Sequence, residues 1–420
     1  MGAFDQVIGY EPIKEEMLQV CDMIRNPEAY RRMGAILPRG MILYGNPGLG
    51  KTLMAKAFIQ ESDLPVITVR KSKGKDNLLK KIEKAFREAA EQAPAIVFLD
   101  DMDKFANEDR GHCDADEYVA IQAGIDDVKD RDVFVLATAN DYGKLPRSLR
   151  RCGRFDRQIE FNSPSAEDAE KIMSYYLQNK KLDPSVNIGD LFRMLDYESC
   201  AVLETVLNEA AIYAAYARKE TIDTGDLIRA VLRKAYESPK SYRKMSDENI
   251  RKIALHEAGH AVICEALLPG GVGLISVRAG EGETGGLMHR CRDTADREQN
   301  ILISLGGKAA TEIYHPNNAA TGCSADITKA KKIICNQLEE NAAMGFALLE
   351  YNTNDYNSMS EAQRSRIETA IHAELEHYMM QTREILLQHR PFLEKLTDEL
   401  VQKETLLYSD VQRIKASCEV

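Results

Sequence analysis

The sequence predicts an α/β module, a parallel sheet with helices on both faces, followed by a mainly α-helical region. Three observations predict it. Short apolar runs alternate with helical patterns over residues 1–163, and a glycine-rich loop joins one such run to a helical pattern. After Ser165, apolar residues recur at helical spacing almost throughout. Alternation of this kind favours a parallel sheet, because each crossover between parallel strands lays a helix on a sheet face.

The strand candidates are Met41–Tyr44, Pro65–Val69, Ala95–Leu99 and Val133–Ala137. Each is short and apolar, as a strand covered on both faces must be. Leu78–Gln92 between them has a helical pattern. From Ser165 to Arg233 the pattern is helical only, and Ala201–Ala217 is rich in Ala, Leu and Glu. The polar, proline-bearing stretch Glu237–Tyr242 is the best linker. A helix is predicted from Ser246 to Ala266, stopped by Pro269-Gly270-Gly271. A short strand-like segment follows near Leu274–Val277, and a strongly patterned helical stretch runs from Ser360 to Lys403. The expected division is an α/β subdomain at 1–163, a helical subdomain at 164–236, a linker at 237–245 and a second domain at 246–420.

Composition narrows the class. A chain of 420 residues is too long for one ordinary domain. A net charge of -11 argues against nucleic acid or anionic membrane as the main partner. Nine cysteines, an odd number with no Cys-x-x-Cys pair, suggest reduced thiols in a cytoplasmic setting. No apolar run approaches the ~20 residues that span a bilayer. The start has no charged-then-apolar leader, and Gln6 spoils the acylation pattern of Met1-Gly2.

Two motifs carry chemistry. Gly45-Asn46-Pro47-Gly48-Leu49-Gly50-Lys51-Thr52 follows a predicted strand and opens a predicted helix. Its glycines let backbone N–H groups wrap phosphates, and the helix N-terminus favours negative charge. Lys51 would reach the β- and γ-phosphates of ATP, and Thr52 would ligate Mg2+. Ile96–Asp101 is an apolar strand ending in two acids. Asp100 is expected in the Mg2+ shell and Asp101 beside the attacking water. The second motif is His256-Glu257-Ala258-Gly259-His260. Histidines four apart share a helix face and can reach one ion, while Glu257 can serve as general base. A third ligand is needed, and His289 and His315 are candidates.

Further residues carry a resemblance. Ala137-Thr138-Ala139-Asn140 and then Arg150-Arg151-Cys152-Gly153-Arg154-Phe155-Asp156-Arg157 resemble the second homology region of AAA+ ATPases. That resemblance implies an AAA+ module with a helical lid, makes Asn140 a sensor of the γ-phosphate, and makes Arg154 and Arg157 fingers inserted into a neighbouring subunit's site. Fingers supplied in trans require a ring. Thr321-Gly322-Cys323-Ser324-Ala325-Asp326-Ile327 resembles the third-ligand segment of the FtsH family of ATP-dependent zinc proteases, which implies Asp326 as the third zinc ligand. Phe4–Gly9 resembles the family's entry to the ATPase domain, where Ile8 and Gly9 would line the adenine pocket. Leu207–Ala211, Gly306–Glu312 and Glu404-Thr405-Leu406 resemble its lid helix, a glycine-started protease helix and the turn before the last helix.

The resemblance implies an ATP-dependent zinc metalloendopeptidase acting as a homohexamer on polypeptides, with Zn2+, ATP and Mg2+ as cofactors, and no nucleic acid. Three departures stand out. The acid after Asp100 is usually Glu and here is Asp101. The pore loop normally carries an aromatic, whereas Arg70–Asn77 is basic and has none. The family's N-terminal membrane anchor has no counterpart in this sequence, so a soluble member, or one whose anchor has been removed, is expected. Two other functions compete: a non-proteolytic remodelling ATPase, and a zinc peptidase of unfolded peptides that uses ATP mainly for ring assembly. Met344-Gly345-Phe346 is expected in the protease core. Gly285–His289 is expected as an edge strand that receives substrate by strand addition.

Overall fold

The structure is a computed structural model that describes residues 2–71, 78–106, 115–151, 153–238, 245–278, 286–291, 296–316, 323–341 and 360–418. Outside these lie Ser72–Asn77, Cys152, Pro239–Tyr242, Gly285, Thr321, Gly322 and Met344–Phe346, which were singled out above. The chain divides into two compact units, residues 1–179 with 197–205, and residues 180–196 with 206–420.

In the first unit five parallel strands lie in the order β2-β3-β4-β1-β5. They are β1 (Gly40–Gly45), β2 (Val66–Arg70), β3 (Ala95–Asp100), β4 (Val133–Ala139) and β5 (Arg157–Phe161). Successive strand side chains serve opposite faces. Ile42, Val97 and Leu99 join a core with Ile82, Phe86 and Tyr118 of α4 (Leu78–Glu91) and α5 (Asp116–Asp127). Met41, Leu43, Ile96 and Phe98 join the opposite core with Met17 and Phe58, from α1 (Glu11–Arg25) and α3 (Lys51–Ser62). The short α2 (Pro27–Arg32) and α6 (Ala166–Leu177) also belong to this unit. β5 was not among the predicted strands. Its Arg-Gln-Ile-Glu-Phe pattern buries only Ile159 and Phe161, as an edge strand with one covered face does.

The second unit holds α7 (Ile188–Met194) and α9 (Thr224–Lys234), and the unit boundary falls inside α8 (Cys200–Tyr216). It continues with α10 (Asp247–Leu267), α11 (Arg297–Tyr314), α12 (Ser324–Asn341), α13 (Glu361–Gln388), α14 (Arg390–Lys403) and α15 (Tyr408–Ala416). β6 (Val272–Ser276) is the centre of a small antiparallel sheet, flanked by β7 (Leu287–Arg290) and β8 (Thr405–Leu407). The expected helix from Ser360 to Lys403 is two helices. Pro391 falls in the first turn of α14, where its missing N–H costs nothing, so the chain restarts there. Glu404-Thr405-Leu406 leads into a strand, not only a turn, with Glu404 at φ +61° and paired to Arg278.

α10 starts as its sequence dictates, with Ser246 Oγ accepting from Asn249 N–H at 3.3 Å. It stops at Pro269-Gly270, where the buried Glu265 carboxylate accepts from Gly270 N at 2.9 Å and Val272 N at 3.0 Å and pairs with Lys415 at 3.1 Å. α10 crosses α11 at two glycines. A Cβ on Gly259 would lie 2.4 Å from Gly306 O, and one on Gly306 would lie 2.7 Å from Gly259 O. Only glycine allows this approach. Among the described residues no helix is long and apolar enough to cross a membrane.

Candidate functional site

The nucleotide cradle follows from sheet order. Ligands of open parallel sheets bind beyond the carboxyl ends of the strands. Here β1, β4 and β3 are adjacent, so the loop after Gly45, Asn140 just past β4 and Asp100 at the end of β3 share one edge. Gly48 and Gly50 have φ of +81° and +88°, and a Cβ on Gly45 would lie 2.1 Å from Phe161 O. α3 opens at Lys51 with Gly50 as its cap and no side-chain cap bond. Lys51 Nζ donates to Gly45 O (2.6 Å) and Asn46 O (2.7 Å), acceptors that a bound phosphate would replace. Burial pushes the Lys51 ammonium down, opposed by the charges of Asp101 and Asp103.

The acids are held individually. Asp100 Oδ1 accepts from Thr138 Oγ1 at 2.8 Å and Thr52 Oγ1 at 3.2 Å. Thr138 Oγ1 also accepts from Asp101 N at 2.9 Å, so one hydroxyl sets both acids. Asp101, at φ +55°, accepts from Asn140 Nδ2 at 3.2 Å and pairs with Lys104 at 2.7 Å. Asn140 N donates to Asp103 at 3.0 Å. The structure therefore links Thr52, Asp100, Asp101 and Asn140 in one hydrogen-bonded network through Thr138, with Lys51 held apart on the loop carbonyls. Pro47 and Leu49 complete the loop, with Leu49 buried.

Gly9, at φ +73°, lies against Asp168, whose carboxylate accepts from Tyr10 N at 3.3 Å. Ile8 beside it is half-buried. Gly48 O accepts from Ala201 N at 3.0 Å, so the start of α8 closes on the phosphate loop, a contact that no motif announces. Arg154 is tied to Ser148 O at 2.7 Å, Gln122 Oε1 at 3.3 Å and Asp126 at 2.9 Å. Arg157 has a looser partner, Glu16 at 3.7 Å.

In the second unit α10 presents His256 and His260 to the first turn of α12, which carries Asp326. Asp326 Oδ2 lies 3.1 Å from His256 Nε2 and 3.4 Å from His260 Nε2, and the two Nε2 atoms are 3.2 Å apart. A tetrahedral zinc site with bonds of about 2.1 Å has donor–donor edges of about 3.4 Å, so the three atoms match one face of it. Two imidazoles and a carboxylate are also the donor types zinc takes at a catalytic site. The resemblance-based choice of Asp326 thus matches the grouping, and neither His289 nor His315 belongs to it among the described residues.

The surrounding residues orient these donors. His260 Nδ1 lies 2.6 Å from Ile303 O, and a carbonyl only accepts, so Nδ1 is the donor of that bond and Nε2 is the atom turned toward His256 and Asp326. Cys323 Sγ lies 3.8 Å from His256 Nδ1. Gly307 leaves room for the His256 ring, since a Cβ there would lie 2.5 Å from its Cε1. Burial alone would lower His256, but the bonds to Asp326 and Cys323 and the Glu257 charge outweigh it and push His256 up to about 10. Burial would raise Asp326, but the two imidazoles hold it well below the usual carboxylate range. Glu257 is buried, which pushes its carboxyl up against the pull of His260 and His256. Gly286, just before β7, packs on it.

Comparison with known proteins agrees with this geometry. The family described as ATPase family associated with various cellular activities (AAA) matches residues 41–163, and Peptidase family M41 matches residues 243–414. An "ATP-dependent zinc metalloprotease FtsH" from Mycoplasma pneumoniae is 31% identical over 98% of this chain and 62% of its own length. One from Ureaplasma parvum is 30% identical over 98% of this chain and 60% of its own. An "FtsH 2" from Sphaerobacter thermophilus is 32% identical over 96% and 64%.

The chain belongs to the FtsH family.

It spans about three-fifths of the length of these relatives, 62% and 60% of the first two. Membership implies Zn2+, ATP and Mg2+ as cofactors, and the His256, His260 and Asp326 group is suited to the first. The basic segment expected to differ from the family's pore loop is described only at Arg70 and Lys71.

Proposed function

We propose that this chain is an ATP-dependent zinc metalloendopeptidase that works as a homohexamer on polypeptide substrates. The observation that carries the reading is the His256–His260–Asp326 triangle with buried Glu257 beside it, in a chain that also holds a phosphate cradle. His256 Nε2, His260 Nε2 and an Asp326 oxygen would hold zinc. A bound zinc supplies Lewis acidity toward water and the peptide carbonyl. Glu257 supplies the proton path: its carboxylate takes a proton from the attacking water and returns it to the leaving amine nitrogen. Burial favours that traffic, because a raised carboxyl pKa lies nearer the working pH. β7 is an edge strand of the small sheet, and it follows Gly286, which touches Glu257, so an extended peptide added to that edge would lie close to the base.

In the nucleotide half, Lys51 would neutralise the β- and γ-phosphates, Thr52 and Asp100 would hold Mg2+, and Asp101 with Asn140 would orient the water. Ile8 and Gly9 would flank the adenine. Arg154 and Arg157 would complete a neighbour's site, which makes hydrolysis depend on the ring. The expected organisation is an ATPase subdomain at 1–163, a lid at 164–236, a linker at 237–245 and a protease domain at 246–420. A second reading, a peptidase of unfolded chains using ATP mainly for ring assembly, is favoured by the aromatic-free sequence Arg70–Asn77.

The test is casein degradation by the zinc-loaded chain with ATP, with a non-hydrolysable analogue, and by Glu257→Gln. Cleavage with ATP alone, abolished in Glu257→Gln, is expected. Equal cleavage with the analogue selects the second reading. No cleavage under any condition, or full cleavage by Glu257→Gln, refutes both.

A further inference from the structure

We propose that Arg70 holds the place of Mg2+ on Asp100, so that Mg2+ must displace its guanidinium to complete the nucleotide site. The inference rests on reading the cradle as an ATP site. β2 and β3 are parallel and their register sets Arg70 opposite Asp100. Residues in register on neighbouring strands place their side chains on the same face. The Arg70 Nη2 atom lies 2.7 Å from Asp100 Oδ2. Asp100's side chain is only 9% exposed, whereas that of Arg70 is 53% exposed. A buried carboxylate requires a partner, and an exposed arginine can leave at little cost.

The neighbouring cations are engaged elsewhere. Lys51 points to the loop carbonyls of Gly45 and Asn46, and Lys104 to Asp101. Asp100 Oδ1 is already shared by two threonine hydroxyls. Oδ2, the oxygen left for a metal ion or its water, is the one that Arg70 covers. Mg2+ is a hard cation that takes oxygen ligands and demands strict octahedral placement, so it cannot share that direction with a guanidinium at contact distance. Binding of Mg2+ is then an exchange of one cation for another. Arg70 lowers the apparent Mg2+ affinity and keeps the buried carboxylate compensated while the site lacks metal.

The experiment titrates Mg2+ into the 420-residue chain with N-methylanthraniloyl-ATP, following fluorescence, for wild type, Arg70→Gln, Arg70→Lys, Asp100→Asn and Arg70→Gln/Asp100→Asn. Arg70→Gln should lower the Mg2+ midpoint about two- to fivefold, the range set by a half-exposed ion pair. Arg70→Lys should stay near wild type, and Arg70→Gln should have no effect in the Asp100→Asn background. Thermal melting checks that the variants fold. An Arg70→Gln midpoint within about 1.5-fold of wild type, less than such a pair should give, overturns the proposal. A raised midpoint with weakened ATP binding also overturns it and makes Arg70 a phosphate ligand instead. Lys51→Ala is the control for the site itself: nucleotide binding that is absent in wild type, or unchanged in Lys51→Ala, refutes the ATP-site reading, whatever Arg70 does.

Discussion

Gly307→Ala separates the metal centre from the fold. The added Cβ would lie 2.5 Å from His256 Cε1 and 2.6 Å from both ring nitrogens, so it presses on the ring as a whole. Ordinary carbon contacts are about 3.5–4.0 Å, so the ring must retreat by about 1 Å. It cannot do so freely, because Asp326 holds Nε2 at 3.1 Å and Cys323 lies 3.8 Å from Nδ1. Zinc–ligand distances tolerate only about 0.2 Å, so the displaced imidazole no longer reaches the ion. The fold suffers less. Alanine inside a helix gains up to about 1 kcal/mol over glycine, against an overpacking cost of about 1–3 kcal/mol, leaving a net loss of about 0–2 kcal/mol. Gly259→Ala is the contrasting control, since its Cβ meets backbone, Gly306 O at 2.4 Å, and should destabilise the whole second unit. Zinc affinity measured by chelator competition should fall at least about 100-fold in Gly307→Ala, beyond the usual effect of outer-shell changes. The metal-free melting temperature should stay within a few degrees. Zinc affinity within about threefold of wild type, short of even an outer-shell effect, would refute the reasoning.

Other outcomes follow from the same geometry. Gly286→Ala places a Cβ 2.4 Å from Glu257 Cγ and 2.6 Å from Oε1, so peptide hydrolysis should fall about tenfold or more while zinc affinity is kept; loss of both together would contradict a role confined to Glu257. Asp101→Glu restores the longer acid of the family, and ATP turnover should rise; turnover equal to or below wild type would show that the shorter carboxylate already holds the water well. Cys323→Ala removes the thiol that lies 3.8 Å from His256 Nδ1, and zinc affinity should drop about tenfold by chelator competition, with no change indicating that the thiol does not orient the ring. His289 is half-buried, its buried Nε2 has no partner among the described residues, and desolvation, only partly offset by a hydrogen bond to the Arg193 backbone, lowers it from 6.5 to about 4. The unfolded chain therefore takes up this proton first. Stability from the neutral ring is complete above pH 6.5, is lost as pH falls toward about 4, and amounts to ~3 kcal/mol at about 1.4 kcal/mol per pKa unit. His289→Phe should flatten this part of the stability–pH curve in denaturant titrations; an unchanged slope would place the acid sensitivity elsewhere.

The sequence by itself determined what short-range physics controls. Glycines at 45, 48 and 50 before Lys51 specify a loop whose φ values other residues avoid, and its place between strand and helix is visible in hydrophobic pattern alone. The four-residue spacing of His256 and His260 puts both rings on one helix face wherever the helix goes. Ser246 and Pro269 mark the ends of that helix. The edge strand β5 is less legible because only Ile159 and Phe161 of it are buried, and the break before Arg390 is signalled by Pro391 against an otherwise continuous helical pattern.

Only the tertiary structure decided which distant residues meet. Asp326 is 66 positions beyond His260, and no periodicity joins them. α11 mediates the meeting: it crosses α10 at Gly259 and Gly306, sets Ile303 and Gly307 against the histidines, and packs on α12, which carries Asp326. Strand order likewise places Thr138 between Asp100 and Asp101, and strand register places Arg70 on Asp100. Local sequence sets backbone conformation through sterics and hydrogen bonds between near neighbours. Contacts between distant segments depend on which apolar faces pack together, and that is a property of the whole fold.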